Sequence, residues 1–254
     1  ALTSGGVHPG TIELGDIDLW TYDVAAGDTL RVQIAEVSGS GFLPNIRLYG
    51  PGGDFIVFNE GSASANLVHQ AAVGGTYTVV VTDGGTDVDG SGDYRLYFAN
   101  IPDTQTVPAG DEGGALTSGG VHPGTIELGD ADLWTFQANA GDSITAQLTD
   151  ISSSGYRPFV LLYGPDGSFV TSDSDSTSAS ISHTTGVAGT YTLVVQDGST
   201  DVAEAGSYEL SFTRIAGTAS PPAGPVSGVL QNGARVDSSF EAAGDIDKYE
   251  LSVS

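Results

Sequence analysis

The 254-residue chain has no cysteine and no methionine. Without cysteine it can build neither a disulfide framework nor a thiolate zinc site. Only 7 Lys and Arg stand against 32 Asp and Glu, a formal net charge of −25, and so acidic a surface repels nucleic acid and anionic lipids. The sequence contains no run of about 18 apolar residues, so it does not predict a membrane-spanning helix. Because it also begins without a methionine or a signal-peptide pattern, we expect a processed form or a piece of a longer chain.

What the chain does contain is an internal repeat. Residues 1–21 and 115–135 are identical at 20 of 21 positions, and looser matches continue at the same offset of 114. The opening of a third repeat, which we call the third start, follows near the end, because GDIDKYELSV at 244–253 resembles GDIDLWTYDV at 15–24 of the first repeat. These matches predict copy one at 1–101, a linker at 102–114, copy two at 115–215, a linker at 216–228 and the opening strands of an incomplete third copy at 229–254.

Within each copy the apolar residues alternate with a period of two, as in Trp20, Tyr22 and Val24, which is typical of strands. Turn residues such as His8-Pro9-Gly10 interrupt the alternation. The expected fold is all-β, with tandem, independent antiparallel β-sandwich domains of jelly-roll type. For copy one we predict eight strands at 10–14, 19–25, 29–37, 44–50, 54–60, 64–72, 75–83 and 92–101.

Several short motifs occur in a fixed order in copy one. G-D-x-D-x-W at 15–20 precedes a strand and A-G-D-T-L at 26–30; L-Y-G-P-G-G at 48–53, G-T-Y-T-V-V-V at 75–81 and G-D-Y-R-L-Y-F at 92–98 follow. This order resembles the bacterial pre-peptidase C-terminal domain, over both full copies and the start of the third. The resemblance implies a non-catalytic, extracellular β-sandwich appended to exported proteins, which binds calcium in some members.

One candidate site is the aspartate pair that precedes the tryptophan. By parity Asp18 shares the face of Trp20, where a carboxylate must be hydrogen-bonded or bound to a cation. Two interpretations stay open: a turn cap that accepts backbone N–H groups, or ligation of Ca²⁺, which takes about six to eight oxygens. The predicted metal ligands are Asp16 and Asp18 in copy one, Asp130 and Asp132 in copy two, and Asp245 and Asp247 in the third start.

A second candidate is an acidic, glycine-rich loop near the end of each copy. In copy one its D-x-D-G-x-G-D spacing loosely resembles an EF-hand loop without the closing glutamate, and a solvated hairpin is the alternative. Because Ala203 and Ser207 replace two of the carboxylates in copy two, we expect any metal here to bind more tightly in copy one. The predicted ligands are Asp83, Asp87, Asp89 and Asp93 in copy one, and Asp197 and Asp201 in copy two.

Neither histidines nor known motifs indicate catalysis. The histidines form two equivalent pairs without a third ligand at a zinc-like spacing, and we place one of each pair in a V-H-P-G-T turn and the other in a strand. No nucleophile elbow, nucleotide-binding loop or H-E-x-x-H motif is present. The parity of Trp20 and Trp134 predicts core positions rather than exposed platforms for sugars. The four histidines are His8, His69, His122 and His183.

We therefore predict that the chain is not an enzyme but an extracellular or cell-surface structural or adhesive repeat protein with calcium-stabilised domains, in an array or a filament. Its expected partners are other copies of itself, by head-to-tail contact or strand addition, or further repeats of a longer chain. The alternative is a ligand- or polysaccharide-binding accessory region of a secreted hydrolase or protease. An enzyme would require a cluster of carboxylates in a deep cleft of both copies.

Overall fold

The computed structural model describes residues 1–87, 89–152, 154–199 and 204–217, and the backbone of 228–230 and 249–251. The regular structure of these residues consists of β-strands in several sheets, and most of the paired strands are antiparallel. The all-β prediction is therefore confirmed. Within the described ranges, no helix has the length and hydropathy of a membrane span.

Copy one forms two four-stranded antiparallel sheets, with the orders β1-β8-β3-β6 and β2-β7-β4-β5 once its strands are numbered along the chain. Consecutive strands alternate between the facing sheets except β4 and β5, which pair within one sheet. This is the jelly-roll arrangement that the sequence predicted as a class but not as an order. The strands are β1 (Gly6–Ile12), β2 (Ile17–Val24), β3 (Thr29–Ser40), β4 (Pro44–Tyr49), β5 (Phe55–Glu60), β6 (Ser64–Gln70), β7 (Gly75–Asp83) and β8 (Ser91–Ile101).

Copy two repeats this arrangement and adds one strand at a sheet edge. Its sheets have the orders β10-β17-β12-β15 and β14-β13-β16-β11-β9, and the added β9 runs parallel to β11 with Gly114 opposite Trp134. The strands are β9 (Gly113–Ala115), β10 (Gly120–Ile126), β11 (Ala131–Ala138), β12 (Ser143–Asp150), β13 (Pro158–Tyr163), β14 (Phe169–Ser174), β15 (Ser178–Thr184), β16 (Gly189–Asp197) and β17 (Gly206–Ile215).

Each pair of sheets closes over its own apolar core, because alternate residues of each strand point inward. In β7, for example, Tyr77, Val79 and Val81 are buried while the residues between them are not fully buried. Trp134 is 6% exposed in the core of copy two, and Trp20 packs against the core of copy one from a partly buried position. Both tryptophans therefore contribute to cores, as parity predicted.

The segment predicted as a turn at His8-Pro9-Gly10 is instead part of β1, and its equivalent in copy two is part of β10. The turn prediction overlooked that proline is tolerated in a strand at a sheet edge. β1 is such an edge strand, and Pro9 lies opposite Arg95 of β8. The two other histidines lie in β6 and β15, as predicted.

The two copies pack against each other through an interface that we call the junction. The outer surface of the sheet containing β3 and β8 covers the outer surface of the sheet containing β11, β13 and β16. The expectation of independent sandwiches therefore does not describe this pair, although the predicted domain boundaries stay a prediction. The apolar residues of the junction are Tyr97, Ala99 and Ile101 of copy one, and Ala131, Leu133, Leu161, Tyr163 and Val194 of copy two, with Val7 and Phe159 at its margin.

Polar contacts also hold the junction together. The buried Arg31 of β3 donates to the Tyr163 hydroxyl over 2.7 Å and to the Gln196 side-chain oxygen, and its guanidinium lies 5.8 Å from the centre of the Tyr163 ring. Arg95 pairs with Glu127 at the margin. Residues 102–114 also contact copy one, for example through Tyr22 and Asp103 and through the backbone of Thr106. They are therefore not a free spacer.

The third start shows one further pairing in its described backbone. β18 (Gly228–Leu230) runs parallel to β19 (Tyr249–Leu251), with Gly228 opposite Tyr249. In the repeat alignment these two residues correspond to Gly114 and Trp134, which face each other in β9 and β11. The third start thus repeats the edge pairing of copy two.

Candidate metal centre

In copy two a tyrosine links the aspartate of β11 to the tryptophan of the same strand. The Trp134 indole N–H donates to the Tyr208 hydroxyl over 2.9 Å, and that hydroxyl donates to Asp132 Oδ2 over 2.5 Å. Asp132 is 1% exposed. One of its oxygens is therefore satisfied inside the sandwich.

Copy one has the same hydrogen-bonded chain in a more open position. Trp20 donates to Tyr94 over 2.9 Å, and Tyr94 donates to Asp18 over 2.6 Å. Asp18 is half-buried, whereas Asp16 is exposed and accepts a hydrogen bond from the backbone N–H of Ile17 over 2.8 Å. The inward aspartate is therefore held by a tyrosine, and the aspartate before it by a backbone turn.

Asp132 also belongs to a group of three carboxylates. Asp111, Asp130 and Asp132 each offer an oxygen, and these oxygens lie within 4.8 Å of one another. Asp132 lies near the beginning of β11 and Asp130 directly precedes that strand, whereas Asp111 comes from the connecting segment just before β9. The parallel pairing of β9 with β11 brings the two segments together. Among the residues that the structure describes, this is the one set of three or more acidic, histidine or cysteine side chains that is so close.

Burial and mutual repulsion disfavour three negative charges in this group. Burial raises the pKa of Asp130 to about 7, and the charge of Asp111 raises it as well. Burial raises the pKa of Asp132 to about 10, with a further contribution from the charge of Asp130. The pKa of Asp111 is also raised, mainly by burial. The group therefore needs protons or a cation to balance its charge.

Two carboxylate oxygens of the group are left without a hydrogen-bond donor. Asp130 Oδ1 and Asp132 Oδ1 are buried, on side chains of residues 5% and 1% exposed. The buried Tyr97 hydroxyl of copy one is also without a partner, and the charges of all three aspartates raise its pKa, after the larger effect of burial. Unpartnered buried oxygens are costly. Carboxylate oxygens in this arrangement fit a hard cation such as Ca²⁺.

A cavity of about 490 Å³ adjoins the group. It is lined by residues of both copies and of the connecting segment, including Val7, Arg95, Asp111, Glu127 and Asp130. A calcium ion completes its coordination with water and backbone carbonyls where side chains are too few. The cavity provides space for such waters beside the carboxylates.

The predicted loop site of copy one has a different arrangement. Asp83 Oδ1 accepts hydrogen bonds from the backbone N–H groups of Leu43 and Gly85, and its Oδ2 accepts one from Gly90. Burial alone would raise the pKa of Asp83, but the backbone N–H groups outweigh it and hold the pKa below its usual value. The exposed Asp93 accepts the Thr11 and Ser38 hydroxyls. Asp87 and Asp89 are exposed, and no three of these carboxylates converge.

In the equivalent loop of copy two, the described aspartate Asp197 has the same kind of contacts as Asp83. Asp197 is 1% exposed and accepts backbone N–H groups of Arg157, Ser199 and Glu204. Asp201 lies outside the described residues, as do Asp245 and Asp247 of the third start. The converging carboxylates thus lie at the beginning of β11 in copy two, and tighter binding in the copy-one loop stays a prediction.

The histidines of β1 and β10 contact the tryptophans. The His8 ring lies 5.3 Å from the Trp20 ring, and the His122 ring lies 5.1 Å from the Trp134 ring, measured between centroids. Nε2 of His8 accepts the backbone N–H of Thr3, and burial lowers the pKa of His8. These contacts give both histidines a structural role at the edge of the core.

Sequence reasoning missed Asp111 because it assigned this residue to a linker. No repeated pattern marks the position, since Pro225 occupies the equivalent place before the third start. One signal was available. The D-E-G-G run at 111–114 directly precedes the second repeat, and extended Gly-Gly segments suit pairing with a neighbouring strand.

No family model and no curated protein matches the chain. Among solved structures, the pre-peptidase C-terminal domain of collagenase from Bacillus anthracis is 19% identical, with a TM-score of 0.32 over 43% of this chain and 100% of that one. The N-terminal CBM22-1-CBM22-2 tandem domain from Paenibacillus barcinonensis is 8% identical, with a TM-score of 0.25 over 84% and 99%.

A third similar structure contains the M60 catalytic domain with the CBM51-1 and CBM51-2 domains from Clostridium perfringens ZmpB. It is 8% identical, with a TM-score of 0.24, and the match covers 77% of this chain and 33% of that one. These likenesses are weak, so the fold assignment depends on the strands and sheets described above.

Proposed function

We propose that the chain is a non-catalytic, extracellular structural or adhesive repeat protein in which calcium stabilises the connection between successive sandwiches. The observation that carries this proposal is the convergence of Asp111, Asp130 and Asp132 with buried, unpartnered oxygens. Self-association into an array or a filament is part of the same proposal.

The position of the carboxylates supports a stabilising role. Asp111 belongs to the connecting segment, and the Asp130 backbone oxygen accepts a hydrogen bond from Gln33 of copy one over 3.2 Å. A cation at this place would hold together the connecting segment and β11 of copy two, next to the junction. It would also neutralise part of a strongly acidic chain.

The distribution of carboxylates supports a non-catalytic role. Asp83 and Asp197 accept hydrogen bonds from backbone N–H groups in equivalent loops. Asp18 accepts a hydrogen bond from the Tyr94 hydroxyl, and among the described residues it belongs to no group of three carboxylates. A duplicated active site would require the same open acidic cluster in both copies, whereas the converging group lies beside copy two.

Isothermal titration of the full chain with CaCl₂ tests the proposal. The Asp111→Asn variant removes one charge from a half-buried ligand, so we expect its calcium affinity to fall by about tenfold or more, equivalent to about 1.4 kcal/mol. Asp16→Asn, at the equivalent of Asp130 in copy one, is the matched control and should bind like the wild type. Absence of calcium binding, or equal affinities in all three proteins, would contradict the proposal.

A second candidate is binding of polysaccharide, favoured by exposed aromatic residues on copy one. Phe55 and Phe58 are 54% and 52% exposed, with ring centroids 6.3 Å apart, and Tyr49 lies 5.8 Å from Phe55. Aromatic faces offer apolar area to the C–H faces of sugars. Co-sedimentation with insoluble cellulose or chitin tests this function. Phe58→Ala should release the protein, whereas Phe169→Ala in copy two should not.

A further inference from the structure

The outer surface of the sheet β2-β7-β4-β5 in copy one is equivalent to the surface of copy two that the junction covers. In copy two, Leu133 and Ala131 are 4% and 3% exposed because copy one lies over them. Their equivalents Leu19 and Ile17 are 66% and 57% exposed. The same surface is thus covered in one copy and open in the other.

The open surface carries a continuous row of side chains. The strand register places Leu19 opposite Val80, Val80 opposite Arg47 and Arg47 opposite Phe58, so these residues share one face. Large apolar side chains gathered on one face of a sheet commonly mark an interaction site. We call this surface the Leu19 face; it consists of Ile17, Leu19, Arg47, Phe58 and Val80.

We propose that the Leu19 face docks a second copy of this chain, which presents the outer surface of its sheet β10-β17-β12-β15 in the geometry of the junction. This inference rests on the self-association proposed above and names the two surfaces that form the contact. We call the second surface the Thr145 face; its exposed residues are Ser143, Thr145, Gln147, Glu209, Ser211 and Thr213. Because the two surfaces differ, the contact is head-to-tail and continues from chain to chain.

The two faces complement each other around one arginine. At the junction, Arg31 lies on the surface of copy one, and Leu161 lies on the opposite surface, which belongs to copy two. The repeat places Thr145 at the position of Arg31 and Arg47 at the position of Leu161. The central arginine of the proposed contact therefore lies on the opposite side from Arg31 of the junction, and hydroxyl groups of the Thr145 face are available to accept its hydrogen bonds.

Charge makes the proposed contact weaker than the junction. The junction pairs Arg95 with Glu127, whereas the equivalent residues of the proposed contact are Glu209 and Glu13. Glu13 of copy one and Glu209 of copy two are both exposed. Two facing glutamates repel each other, and salt screens that repulsion. The association should therefore increase with salt.

The third repeat of the same chain is a poor competitor for the Thr145 face. In the repeat alignment Lys248 occupies the position of Leu133 and Leu19. A lysine in the middle of such a face would lose hydration without an apolar contact in return. The second chain, with leucine at this position, is the better partner.

Sedimentation velocity of the full chain over a range of concentrations, at low and at high NaCl, tests the proposal. We expect reversible association that is stronger at high salt. Leu19→Lys, which copies the residue of the third start, should weaken it by about tenfold or more. Val73→Lys, at a similarly exposed valine between β6 and β7, is the matched control and should associate like the wild type.

A gain-of-function variant tests the geometry. Glu209→Arg restores the Arg–Glu pair of the junction and should strengthen association and reduce its dependence on salt. If the wild type associates but Leu19→Lys or Glu209→Arg has no effect, the assigned faces are wrong and self-association itself stands. Loss of association in Leu19→Lys alone would indicate a face-to-face dimer, which also overturns the inference. If the wild type and the Glu209→Arg variant both stay monomeric, the inference and the proposed self-association are both wrong.

Discussion

At the scale of single residues, the tyrosine between tryptophan and aspartate explains several features of the repeat. Gly124 lies under the Tyr208 ring, where an added Cβ would come within 2.4 Å of the ring carbon Cζ, and Gly10 has the same relation to Tyr94. The glycine of the V-H-P-G-T motif therefore serves the close approach of a ring to a strand and not a turn.

The tyrosine also gives a testable difference between the copies. Tyr208→Phe leaves the buried Asp132 and the Trp134 indole without their hydrogen-bond partner, and we expect it to lower the free energy of unfolding by about 1 to 3 kcal/mol. Tyr94→Phe should have a smaller effect, because Asp18 is half-buried and reaches water. Urea denaturation of both variants measures the difference. Equal effects would contradict a role set by burial.

The hydrogen bonds of Asp83 lead us to expect that the free energy of unfolding falls in acid. Its pKa is lower in the folded chain than the ordinary value of 3.8. Its ionised form therefore stabilises the fold above that value, and the contribution is lost as the pH falls through the lower, folded pKa. Asp83→Asn should lower stability at pH 7 by about 1 to 3 kcal/mol. It should also make the free energy of unfolding less sensitive to acid below about pH 4. Thermal unfolding of both proteins as a function of pH checks this, and curves that stay parallel in acid would contradict it.

At the scale of strands and sheets, the junction distinguishes the two copies. Its copy-one surface carries Arg31, Tyr97 and Ala99, where copy two has Thr145, Ser211 and Thr213. The first set is buried and the second set is exposed. The same strand positions therefore form an interface in one copy and a hydrophilic surface in the other.

Arg31 is the polar centre of the junction. Arg31→Ala would leave the Tyr163 hydroxyl and the Gln196 oxygen buried without a donor, and we expect a loss of about 2 to 3 kcal/mol in stability. Arg157→Ala, at an exposed arginine of copy two outside both proposed contact faces, should change stability by about 0.5 kcal/mol or less. Calorimetric unfolding of both variants compares the two sites. A junction variant as stable as the control would contradict the assigned role.

The sequence predicts the elements better than their assembly. A period of two indicated eight strands in copy one, although the first begins at Gly6 and not at residue 10 as predicted. Parity placed Asp18 beside the indole. Both inferences depend on local geometry. The partner of Asp18 lies 76 residues away in β8. The third carboxylate, Asp111, reaches the site only through the pairing of β9 with β11. Contacts of this kind depend on strand order, which one sequence does not specify.

At the scale of the whole molecule, charge and architecture act together. The formal charge of −25 opposes compaction of the chain and its association with other chains. The described salt bridges are few, between Arg95 and Glu127 and between Arg214 and Asp142. Cations from solution are therefore the available counter-charges, and we propose that calcium is bound where three carboxylates converge beside the junction.

The most direct test of this account is luminescence of Tb³⁺, an ion that replaces Ca²⁺, excited through the aromatic residues. Tyr208 and Trp134 are linked to Asp132 by hydrogen bonds, so an ion at the three carboxylates lies within the short range of energy transfer. We predict sensitised emission from the wild-type chain that Ca²⁺ displaces and that Asp111→Asn abolishes. Emission that is absent, or that persists unchanged in Asp111→Asn, would contradict a metal centre at the junction.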